Sequence, residues 1–237
     1  LDQMTVAISG GSGLISYRGR SSTDGDNPWA IAVGTGSTTN TFTPPSATPG
    51  TTYYRVLVNA SNSDCQQAVS SMVTAIIIPD ITVTTQPTNV NECVGGLDQM
   101  TVAISGGSGL VSYQWQSSTT GAEPWANAVG TGSTTNTFTP PSATPGTTYY
   151  RVLVNATGSD CQQAVSSVVT AIIIPDITVT TQPTNVNECV GGLDQMTVAI
   201  SGGSGLISYQ WQSSTTGNEP WANAIGTGST TNTFTPP

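Results

Sequence analysis

Apolar residues recur at every second position in short stretches of this chain, and clusters of proline, glycine and serine separate those stretches. Residues 81–86 are rich in β-branched side chains and lie between Pro79 and Pro87, which predicts a strand ended by proline. Residues 99–104 alternate, with Met100, Val102 and Ile104 on one face and Gln99, Thr101 and Ala103 on the other. A glycine-rich turn, residues 105–109, follows. Residues 111–116 alternate again and place Val111, Tyr113 and Trp115 on one side, so the indole of Trp115 is expected to point inward with Tyr113. Residues 135–139 around Phe138 make a short strand before Pro140 and Pro141. Residues 149–155, including Tyr150, and 164–174 are expected to pair as a hairpin across the turn at 157–160. No ten-residue segment has helical periodicity.

The pattern repeats. Leu1-Asp2-Gln3-Met4 returns as Leu97-Asp98-Gln99-Met100 and as Leu193-Asp194-Gln195-Met196, a period of 96 residues with no insertion or deletion. A period that long is one whole domain per repeat. Residues 193–237 depart from 97–141 only at Ile207 for Val111, Asn218 for Ala122 and Ile225 for Val129. Roughly seven short strands per period, with turns every 8–12 residues, predict an all-β, Greek-key sandwich of the immunoglobulin-like kind; a barrel or propeller blade would need another strand count. The expected architecture is an extended linear array: residues 1–79 form a repeat without its first strand, 80–175 a complete repeat, and 176–237 a repeat without its last strands. On this reading the sequence is an excerpt of a longer protein. Pro79-Asp80 and Pro175-Asp176 are the expected stiff joints.

Composition narrows the function. Charged residues make up 7% of the chain, and the four basic ones are Arg18, Arg20, Arg55 and Arg151, with neither Lys nor His. A net charge of −9 leaves nothing to neutralise phosphate, so nucleic acid and anionic membranes are not expected partners. The longest apolar run is near Ile76, Ile77 and Ile78, too short to span a bilayer. Without His or Lys, a Ser or Cys nucleophile has no usual base, so no catalytic residues are expected and the protein is read as a non-enzyme.

Other candidate chemistry is thin. Asp98 with Glu123 is read as solvated surface rather than a glycosidase pair. The 105–109 loop lacks the Lys-Ser or Lys-Thr of a phosphate cradle. No cofactor is expected. Calcium at the domain junctions, through Asp80 and Asp176 with Glu92, Asp98 or Asp160, is the one metal considered, although no DxDxDG-like cluster is present. Trp125 and Trp221 lie in loops, where they either pack on their own chain or present a contact surface for sugars or a partner. Isopeptide crosslinks between Lys and Asn cannot form without Lys.

Gln86-Pro87, Cys93-Val94-Gly95, Tyr113-Gln114-Trp115-Gln116, Tyr149-Tyr150-Arg151-Val152, and Cys161 followed by Ser166 together resemble the immunoglobulin-like repeats of very large surface proteins of gliding, adhesive and prey-catching Bacteroidota. The resemblance runs through every repeat. It implies an extracellular, cell-surface location and a role as spacer or stalk of an adhesin or filament, whose partners are adjacent repeats, identical chains packed laterally, and an unknown cell-surface or glycan target. The alternative makes the repeats themselves multivalent adhesive modules. Trp115 and Trp211 are the expected core residues of strand three, but repeat one reads Arg18-Gly19-Arg20 at that place, so that unit is expected to be less stable or specialised.

In a secreted array of this type, the two cysteines of each repeat imply one disulfide per domain, here Cys93 with Cys161. The opposing consideration is that the two cysteines flank different ends of a sandwich, in which case a neighbouring domain or chain supplies the partner. Under the first reading, the mates of Cys65 and Cys189 lie beyond the sequence.

Overall fold

The structure, a computed structural model, describes residues 2–61, 66–157 and 161–237. All of its regular elements are β-strands. Two compact units are distinguished in space, one of residues 1–82, 104–112 and 155–164, the other of 83–103, 113–154 and 165–237.

Residues 80–175 show how the sequence closes a core. One layer runs Ala126–Asn127, Leu110–Ser118, Gly146–Thr157, Val169–Ile174 and Val90–Cys93 in that order, with Ala164–Val165 also on the Gly146–Thr157 strand. The other layer pairs Thr82–Thr85 with Ala103–Ser105, and Met100–Thr101 with Thr137–Phe138. Trp115, Val152 and Val154 from the first layer meet Met100, Val102 and Phe138 from the second, and all six are less than 2% exposed. Each such side chain contributes about 1.5–3 kcal/mol on burial. The indole of Trp115 stacks on Phe138 at 5.2 Å, and its Nε1–H donates to the Thr135 carbonyl at 2.9 Å, so its polar edge is satisfied inside the core. Tyr150 is buried at 4%, whereas Tyr113, expected inward with Trp115, is half-buried.

Three strand boundaries differ from the alternation pattern. Residues 99–104 do not form one strand: Met100–Thr101 and Ala103–Ser105 serve different partners, and the break falls at Val102, whose N–H still reaches the Asn136 carbonyl at 3.0 Å. The arm expected over 164–174 is broken at Ser166. There the hydroxyl accepts the Val152 N–H at 3.0 Å and donates to the Ser167 carbonyl at 2.9 Å, standing in for a ladder carbonyl. Val90–Cys93 is a strand that alternation does not announce, because only Val90 faces the core, and its parallel pairing with Val169–Ile174 comes from 81 residues along the chain.

Repeat one builds the corresponding layer from five strands, Ala30–Ile31, Ile15–Ser22, Gly50–Ala60, Ala68–Val69 and Val73–Ile77, without a counterpart of Val90–Cys93 among the described residues, and pairs Met4–Thr5 with Thr41–Phe42. Repeat three pairs Met196–Thr197 with Thr233–Phe234, Thr178–Thr181 with Ala199–Ser201, and Gln212–Ser213 with Ala222–Asn223. Trp211 repeats the Trp115 geometry, 5.4 Å from Phe234 with its Nε1–H on the Thr231 carbonyl at 2.9 Å, and it is half-buried.

Candidate functional site

Polar and aromatic side chains of the complete repeat gather around Arg151. The Gly146–Thr157 strand presents this guanidinium on the layer's outer face, since its neighbours Tyr150 and Val152 point into the core. The loop after Leu110–Ser118 brings Glu123 and Trp125 to the same face. Arg151 lies over the Trp125 ring at 4.4 Å, its Nε–H donates to Gln116 Oε1 at 2.9 Å, and its Nη2 pairs with Glu123 Oε1 at 3.1 Å. A cation–π contact of this kind contributes about 0.5–1 kcal/mol at an exposed site. Trp125 is therefore half-buried under the cation, while Trp221 stands 43% exposed.

Repeat one keeps the ring and the cation but not their partners. Arg55 lies over Trp29 at 4.1 Å, yet Arg20 replaces the Gln116 acceptor and Asn27 the Glu123 carboxylate. The Arg55 Nε is buried with no hydrogen-bond partner, and Arg20 sits directly across from Arg55 in the strand register. Like charges facing each other across a sheet oppose pairing. Restoring the acceptor through Arg20→Gln is expected to stabilise repeat one by about 1–2 kcal/mol, read as a higher urea midpoint at unchanged slope.

The cysteines require a correction. Cys93 is an exposed, free thiol, so the bond expected between Cys93 and Cys161 is not formed. The reason is the length of one strand. Cys93 pairs with Ile174, next to the Gly146 end of Gly146–Thr157, while Cys161 follows the Thr157 end and donates to the Pro79 carbonyl at 3.8 Å. Twelve residues of strand extend about 36 Å, the four residues from Thr157 to Cys161 reach back at most about 14 Å, and a disulfide needs Cα atoms within about 7 Å. Cys189 is likewise exposed and free, and Cys65 lies outside the described residues.

The acidic residues near the joints have local tasks. Asp80 Oδ1 accepts the Gln162 N–H at 3.3 Å, and Glu92 Oε2 accepts the Asp98 N–H at 2.8 Å, closing the 93–98 turn. Among the described residues, no three Asp, Glu, His or Cys side chains converge as a metal site; Asp160 lies outside them.

Burial pushes the Tyr150 hydroxyl above its ordinary pKa of 10.0, against a smaller opposing effect of its hydrogen bond with Thr148. The fold thus favours the neutral phenol. The stabilisation is complete below pH 10 and is lost as the pH rises through the raised value. A flat urea midpoint from pH 7 to 9, falling beyond pH 10, is the expected profile, and Tyr150→Phe should flatten the alkaline fall.

A family model described as a domain of unknown function, DUF8696, matches residues 2–79 and again 82–175. The chain belongs to this family. No curated protein matches it in sequence. Among solved structures, it is similar to Sidekick-1 immunoglobulin domains 1–4, at 15% identity and a TM-score of 0.38, over 79% of this chain and 51% of that one. The chicken CNTN1 FN1–FN3 domains are similar at 12% identity and a TM-score of 0.36, over 93% and 78%. The four N-terminal Ig domains of Dscam1 are similar at 10% identity and a TM-score of 0.36, over 83% and 53%. The chain thus spans about half the length of the Sidekick-1 and Dscam1 structures it resembles. Its two family matches and its own strand order make it a tandem array of immunoglobulin-like β-domains.

Sequence reasoning singled out Trp125 and Trp221 but missed Arg151 as the group that Trp125 packs on. The signal was available: repeat one exchanges Gln116 for Arg20 and Glu123 for Asn27 together, and the structure places both exchanged residues against one guanidinium.

Proposed function

We propose that this array is a structural stretch of a bacterial cell-surface adhesin or extracellular filament, a spacer that carries attachment functions located elsewhere and does no catalysis. The observation that carries the reading is the reuse of one framework. Trp115 and Trp211 sit in the same hydrogen bonds, Trp115 N to Ser133 O at 2.8 Å and Trp211 N to Ser229 O at 2.9 Å, so successive repeats are built as interchangeable units. Such units set length by number.

Lateral packing of identical chains is favoured by a second observation. Val33, Val129 and Ile225 occupy the same position in the three repeats and are 77%, 81% and 83% exposed. Any contact made at one is offered again every 96 residues.

Electron microscopy of cells producing versions with more or fewer repeats tests the spacer role. The expected result is a surface projection whose length rises by a constant step per repeat while adhesion depends on the distal part. Adhesion retained by residues 80–175 alone would favour the multivalent adhesive reading instead.

A further inference from the structure

We propose that repeat one carries a binding slot for a small, neutral, planar aromatic molecule of indole size bearing one N–H donor, in the place that an indole side chain fills in the other repeats. Gly19 occupies the strand position of Trp115 and Trp211, and its backbone makes the same bonds: Gly19 N to Ser37 O at 2.7 Å and Ala32 N to Gly19 O at 3.0 Å, against 2.8 and 2.9 Å around Trp115. The φ of Gly19 is not in the left-handed region, so the backbone does not call for glycine here. What glycine removes is the ring.

The walls of the slot stay in place without it. Phe42 and Tyr54 stand 5.1 Å apart, the spacing of Phe138 and Tyr150 around the filled site. A Cβ built on Gly19 would lie 3.2 Å from the Ala32 Cβ and from the Ser37 carbonyl, so the closing-in amounts to a few tenths of an ångström. The place of the ring is one end of an open cavity of about 470 Å³; Gly19, Ala32, Ser37, Thr39, Phe42 and Tyr54 line that end, and the rest runs along Ser70, Ser71 and Val73, the edge whose counterpart in repeat two is covered by Val90–Cys93. An apolar hollow of about 150 Å³ is enough to hold benzene.

The polar requirement of the ligand follows from the same comparison. In repeats two and three, the carbonyls of Thr135 and Thr231 accept an indole N–H at 2.9 Å. Thr39 holds the corresponding place, with the same N–H bond to the Gly36 carbonyl at 3.0 Å that Thr135 makes to Gly132, and Gly19 has no ring to offer its carbonyl. A flat ring stacked on Phe42 would aim one donor at that oxygen. A charged ligand does not suit the slot: Arg55, which also lines the cavity, opposes a cation, and the Thr39 carbonyl, an acceptor, opposes an anion at its end.

Calorimetric titration of the whole chain with free indole tests the assignment. Saturable binding at one site is expected with a Kd on the order of 0.1 mM. Benzothiophene, of the same shape without the N–H, should bind about fivefold to tenfold more weakly. Gly19→Trp, which installs the residue of the other repeats and so is expected to fold, should abolish binding. No heat of binding up to the solubility limit of indole, or equal binding by Gly19→Trp, would overturn the proposal. Self-association that Gly19→Trp abolishes, without binding of free indole, would also overturn it, by assigning the slot to a tryptophan of a second copy.

Discussion

Trp115→Gly in the complete repeat is expected to lower its unfolding free energy by about 3–5 kcal/mol. The substitution reproduces in repeat two what repeat one has at Gly19. It removes a ring that is 0% exposed, its stack on Phe138 and the hydrogen bond to the Thr135 carbonyl. The frame around Gly19 shows that the surrounding strands do not move in to fill such a space, so the cavity persists and its cost is not recovered. In a domain of this size, a loss of that magnitude corresponds to a fall in Tm of roughly 15–30 °C. Calorimetry of residues 80–175 with and without the substitution reads it directly.

Ser166→Ala is expected to have the next largest effect, a loss of about 1–3 kcal/mol. Ser166 is 7% exposed and adds only one hydroxyl, yet that hydroxyl is the acceptor for the fully buried Val152 N–H. Alanine leaves this donor inside the sheet with neither protein nor water to accept it. Thr in place of Ser keeps the hydroxyl and should retain most of the stability. Ser70 makes the same bond to Val56 N at 3.0 Å in repeat one, so Ser70→Ala should produce a parallel loss there. Hydrogen exchange at Val152 checks the mechanism, because its amide should lose protection before those of Val154 and Tyr150.

The sequence carried some of this architecture openly. Period-two alternation around Met100, Val102 and Trp115 places main core residues, because one face of those stretches is buried and the other wet, whereas Val111, read the same way, is only half-buried. The 96-residue period fixes the domain size through exact self-similarity. Val90–Cys93 was not legible, since a parallel edge strand with one core-facing residue has no local signature, and its partner is fixed only once the sandwich closes. The same strand decides the cysteines: once Cys93 is tied to Ile174, it stands at the far end of the long strand from Cys161.

The Arg151 cluster was legible only by comparing repeats. Within one repeat, Gln116, Glu123 and Arg151 are ordinary surface residues separated by up to 35 positions. Their joint replacement around Arg55 identifies them as a set, and the buried Nε of Arg55 shows what happens to the cation when its acceptors are gone. The Gly19 position carries the same lesson in the core. A glycine with ordinary backbone geometry in the middle of a strand stands for a missing side chain, and the intact walls around it turn a stability defect into a place for a ligand.

That every repeat closes its own core is the premise on which the spacer role rests, and stretching a single molecule tests it most directly. A polyprotein of the 80–175 repeat, pulled from its ends, should unfold in separate steps of equal length. Each fully extended repeat spans about 330 Å, so after subtracting the folded length each step should release on the order of 290 Å. Equal steps, one per repeat, are the predicted result. Extension without discrete steps, or a single cooperative event involving several repeats, would contradict the account.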